Sequence, residues 1–161
     1  MRSDDEIVAE LARLGFPGFA YYAKRGQESC DPAELLLDAI DRPDLDARIV
    51  EGLPWIPFRF PDLRWDWLIF EAETRGRQNR LRFVASLAKS TAERRSMTKL
   101  SSTLFAVIGR IDQIRLEMND TLCQESWPSV QRQAAHQQRS ALAAHWDLDT
   151  RVTESDLAHL W

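Results

Sequence analysis

The chain is 161 residues long, 44% apolar and 29% charged, with a mean hydropathy of −0.40; that length suits one domain able to bury a core without staples. Six glycines are too few for a turn-rich all-β fold, no run of about 18 apolar uncharged residues is present to cross a membrane, and the opening MRSDDEIVAEL lacks the apolar stretch of a signal peptide. The net charge of −4 is segregated: residues 1–73 hold 16 acidic and 8 basic side chains, residues 74–115 hold 10 basic and 2 acidic, and residues 116–161 hold 3 basic and 7 acidic.

Taken in chain order, Ser3-Asp4-Asp5-Glu6 is a capping box, in which a hydroxyl and a carboxylate three residues on satisfy amides that the first turn leaves free. Ile7, Leu11 and Leu14 then recur at helical spacing until Gly15. Asp31-Pro32-Ala33-Glu34 opens a second helix with an N-cap and a proline at its first position. A third runs through Leu45, Ile49 and Val50, and Pro54 should end it at about Leu53. A fourth starts at Asp62 or Trp65 and stops at Gly76, and a fifth follows over QNRLRFVASLAKSTAERR. The sixth extends over 97–121 on Leu100, Leu104, Val107, Ile108, Ile111, Ile114 and Met118, and the break at 90–98 leaves five and six separate or continuous. Ser126-Trp127-Pro128 opens a seventh through Leu142, and Thr153 opens a last short one ending at Trp161. The expectation is an all-α, single-domain bundle of seven to eight helices spanning 1–161.

LPWIPFRFPDLRWDWLIF, residues 53–70, holds six aromatics and three prolines. Arg59 and Arg64 are offset by Asp62 and Asp66, whereas a base-stacking platform needs surplus positive charge to hold phosphates. Glu51, Glu71 and Glu73 surround the stretch, where a membrane wedge wants basic flanks. Placed on a helix, 65–72 is apolar around most of its girth. The stretch therefore predicts a stiff non-helical corner feeding a central core helix.

LPW, PDLRWDWL and QNRLRFVASLA, between Leu53 and Ala88, resemble a segment of bacterial proteins associated with transcription-regulator and toxin–antitoxin neighbourhoods. Many family forms have Gly where Arg82 stands. The resemblance implies that Trp65, Trp67, Asn79 and Arg80 form one structural unit. Gln78 and Asn79 at the start of the fifth helix suit cross-links to helix ends, and Arg80 suits bridging to carboxylates of the acidic N-terminal half.

Arg75, Arg77, Arg82, Lys89, Arg94, Arg95 and Lys99 make the middle third basic, so that it either pairs internally or docks something negative. Ala72 and Gly76 resemble the small residue and turn glycine of a helix-turn-helix, but Arg77 and Arg82 stand where that motif packs apolar residues. RSALAAH, Arg139 to His145, resembles the Arg and His, with four to six residues between them, of the HEPN helical ribonucleases. That resemblance implies that Arg139 steadies a scissile phosphate while His145 moves protons, in a pocket commonly made by dimerisation. His136 and His159 lack ligand-like partners at helical spacing, Cys30 and Cys123 match no metal pattern, and no glycine-rich phosphate loop exists, so no metal or cofactor is expected.

The sequence thus predicts a cytoplasmic, non-enzymatic interaction or regulatory protein, antitoxin-like or regulator-associated. It would bind a protein partner, with nucleic acid through 75–99 or a homodimer as further arrangements and no membrane contact. The alternative is a metal-independent ribonuclease toxin using Arg139 and His145.

Overall fold

The computed structural model describes residues 1–23, 26 and 28–159, the side chains of residues 158 and 159 apart, and its architecture is all-α. The helices are α1 (Asp4–Leu14), α2 (Pro32–Asp41), α3 (Ala47–Gly52), α4 (Trp55–Arg59), α5 (Trp65–Thr74), α6 (Gln78–Arg94), α7 (Thr98–Asp112), α8 (Ser129–Gln138) and α9 (Ala141–His145). Short 3-10 helices occupy Pro17–Tyr22 and Glu154–His159. Two dipeptides, β1 (Asp120–Thr121) and β2 (Leu148–Asp149), pair in parallel. Among the described residues, no helix is long and apolar enough to cross a membrane.

Local chemistry sets most boundaries. Ser3 and Glu6 close the capping box of α1, and Gly15 ends the helix at φ 96°, a left-handed conformation that a Cβ disfavours. The Asp31 side chain accepts from the Ala33 amide to start α2. Between α6 and α7 the chain turns at Ser96, φ 57°, where the Met97 amide donates back to the Ala92 carbonyl. The two helices are therefore separate.

Four expectations change. Residues 55–59 are helical rather than a non-helical corner; Pro57 lies in the first turn of α4, where its missing N–H has no intrahelical partner to lose. The central helix is α6, not α5: all residues from Gln78 to Ala88 are buried, and α7 packs along it. α7 ends at Asp112, well before 121, because Asn79 takes both backbone groups of Leu116 and Gln78 takes the carbonyl of Ile114. The seventh helix splits at Arg139, whose ψ of 150° is extended, and the Ser140 hydroxyl caps α9 by accepting from the Ala143 amide. The expected end of the last helix at Trp161 lies outside the described residues.

One apolar cluster runs from Ile7 to Leu157 and takes in most of the aromatic stretch. Leu53, Trp55, Ile56, Leu63, Trp65, Leu68 and Ile69 are buried, each contributing roughly 1.5–3 kcal/mol by leaving water. The Trp65 indole donates to the Pro61 carbonyl at 2.9 Å, which holds the entry to α5. Trp67 is half-buried beneath the Arg64 guanidinium, 4.4 Å from its ring centroid. Phe70 departs from the expectation of an all-round buried helix, being 63% exposed.

Candidate functional site

The basic segment is mostly occupied within the chain. Arg75 bonds Asp41 and Glu71. Arg77 bonds Asp41 and sits within ion-pair distance of Asp120 and Glu125. Arg82 pairs with Asp112 and stacks its guanidinium 3.4 Å above the Trp146 ring. Lys89 pairs with Glu93 one turn on, and Arg94 with Glu154. Arg95 lies over the Phe58 ring, 5.6 Å from its centroid. Lys99 is exposed, and among the described residues it has no ion pair. Of the two readings of the charge pattern, internal pairing is what the side chains do; the segment's docking role becomes a matter of what surface remains.

The centre of that pairing is Arg80, whose side chain has no exposed surface. All five of its donors are matched. Nε and one Nη2 proton reach the two oxygens of Asp120, the other Nη2 proton reaches Glu125, and Nη1 reaches the carbonyls of Ile40 and Arg42. Those carbonyls lie at the C-terminal end of α2, where a cation offsets the accumulated negative dipole. The bridging role of Arg80 holds, but its carboxylates come from the 120–125 segment rather than from the N-terminal half. Asn79 beside it bonds Leu116 and the carbonyl of Trp146. Two adjacent polar residues of α6 thereby fix the whole return of the chain after α7.

The structure does not bring Arg139 and His145 into contact. The helix break separates them, His145 packs edge-on against Trp146, and no hydrogen bond joins the pair among the described residues. Arg139 instead meets Asp149 and Asn119. Asp149 also receives His136 and Arg132, so a nearly enclosed carboxylate gathers three basic side chains. Arg132, His136 and Arg139 are spaced by four and three residues, which places them along one face of α8 and its end. That spacing is readable in the sequence; the partner Asp149 is not, because it lies on β2, which pairs with β1 and packs against α8.

Among the described residues no group of three or more His, Cys, Asp or Glu side chains is placed to hold a metal ion. Both cysteines are free thiols; burial pushes each up to about 12, with Glu10 adding to the effect at Cys30.

A surface cavity of about 490 Å³ opens at the α6–α7 turn, lined by Pro61, Met97, Thr98, Lys99, Leu100 and Thr103. Its walls are mainly apolar, and Lys99 supplies the charge. Phe105, on the next turn of α7, is 67% exposed.

No protein-family model, curated protein or solved structure matches the chain.

Proposed function

We propose that this is a non-enzymatic interaction or regulatory protein that binds a protein partner at the start of α7. The antitoxin-like or regulator-associated character rests on the resemblance over 53–88. The observation that carries the binding reading is the cavity beside Pro61, Met97 and Leu100, with the exposed Lys99 on its wall. An apolar recess with one cation on its wall fits a protein segment that presents an apolar side chain next to a carboxylate. Nucleic acid fits less well, because the other basic side chains already face acidic residues or rings of the chain itself and phosphate affinity needs a surplus.

The test is co-expression with the product of the adjacent gene, followed by size-exclusion chromatography and calorimetry. The expected result is a complex that Met97→Asp or Lys99→Glu disrupts while the protein stays folded. No complex, or one indifferent to both substitutions, contradicts the reading.

A further inference from the structure

The Asp149 cluster lies on α8 and β2, away from the start of α7, and does not depend on the docking reading. Asp149 has a side chain 3% exposed. Its Oδ1 is 2.7 Å from His136 Nδ1 and 3.2 Å from Arg139 Nη1; its Oδ2 is 2.8 Å from Asn119 Nδ2 and 3.4 Å from Arg132 Nε. Burial pushes the Asp149 carboxyl up, but the hydrogen bonds from Asn119, His136 and Arg132 outweigh it and hold the group below the usual carboxylate range. An ionised carboxylate only accepts, so His136 Nδ1 is the donor in that bond, and Nε2 takes no part in it. The His136 side chain is 52% exposed.

Among the described residues, Asp149 is the only carboxylate bonded to Arg132, His136 or Arg139. Two guanidiniums and an imidazole therefore answer to one negative charge. Several of their nitrogens have no hydrogen-bond partner among the described residues: both Nη of Arg132, Nε and Nη2 of Arg139, and Nε2 of His136. The side chains themselves are 38%, 52% and 16% exposed for Arg132, His136 and Arg139, so the cluster meets solvent. Asp149 and Asn119 hold the three basic side chains in place in advance, which lowers the ordering cost of binding.

We infer that Arg132, His136 and Arg139 form a phosphate-binding site, with Asp149 and Asn119 as positioning residues. The ligand is a tetrahedral phosphate, either free or as the monoester of a nucleotide. Forked guanidinium donors suit its oxygens, and His136 Nε2 suits a third, donating to it when the ring carries both protons and accepting from a P–OH group when it carries one.

The experiment titrates the full chain with sodium phosphate and, separately, with adenosine 5′-monophosphate, at ionic strength held constant with sodium chloride. The readout is the Cε1–H resonance of His136, followed beside the thermal midpoint. The expected result is a saturable shift at His136, about tenfold weaker in Arg132→Gln. Arg132 is the variant of choice because a single 3.4 Å bond ties it to the fold; far-ultraviolet circular dichroism checks that fold. Tighter binding of the nucleotide identifies the ester as ligand, and equal or tighter binding of phosphate identifies the free ion. No saturable shift with either, or a shift undiminished in Arg132→Gln, overturns the site and leaves the cluster as an anchor of α8.

Discussion

Arg80 grips Asp120 with two parallel hydrogen bonds, Nε to Oδ2 at 2.7 Å and Nη2 to Oδ1 at 2.8 Å, on a guanidinium without exposed surface. The same fork serves two carbonyls at the end of α2, so one side chain ties α6, α2 and the return segment together. A lysine ammonium cannot span those acceptors. Arg80→Lys should cost about 3–5 kcal/mol, the range for breaking a buried pair. Urea unfolding checks it: the midpoint should fall with the slope unchanged, and a loss under about 1 kcal/mol would contradict the bridging role.

The aromatic stretch gives a contrast between two positions five residues apart on α5. Trp65 is buried and bonded to Pro61, whereas Phe70 points to solvent. Trp65→Ala should cost about 3–5 kcal/mol through the cavity it leaves. Phe70→Ala should stay within about 0.5 kcal/mol. Equal losses in the same denaturation series would mean that α5 is buried all round.

Alkaline pH should weaken the fold through Cys123. Burial raises its thiol to about 12 in the folded chain, against about 8.5 when unfolded. Between those values the unfolded state releases a proton that the folded state keeps, so stability falls as pH rises, by about 1.36 kcal/mol per pH unit. It is fully present below about 8.5. Comparing Cys123→Ser with the parent between pH 8 and about 10 isolates the effect: the parent should show the steeper decline. A thiol reagent at pH 8 should label Cys123 only after unfolding.

RNA incubated with the protein in EDTA should remain intact, and His145→Ala should change nothing. Arg139 is tied to Asp149 and the helix breaks between Arg139 and His145. Gel electrophoresis of the RNA is the check. Cleavage that disappears in His145→Ala would restore the ribonuclease alternative.

Legibility in the sequence followed the range of each interaction. Short-range signals carried well: Ser3 with Glu6, Asp31 before Pro32, and the apolar spacing of α7 as far as Ile111 all describe what the neighbouring backbone does. Where the pattern failed, a distant side chain had overruled it. Ile114 and Met118 continue the apolar period, but Gln78 and Asn79 capture the carbonyls and amide that a longer α7 would use. Arg80 was legible as a bridge, while its partners Asp120 and Glu125 depend on a return path that periodicity does not describe. The phosphate-site residues show the same limit. Their stripe is local, but Asp149 reaches them through long-range packing, on a strand that pairs with Asp120–Thr121.

The central claim is that residues 75–99 hold the helices together rather than grip phosphate. Its most direct test is RNA binding by fluorescence anisotropy across a salt series, comparing the parent with a double variant, Arg94→Gln with Lys99→Gln, at exposed positions. Any binding should be weak, with a dependence of log affinity on log salt that the double variant leaves unchanged. A slope that flattens by about 0.7 for each charge removed would mean that these side chains contact phosphates, and would contradict the claim.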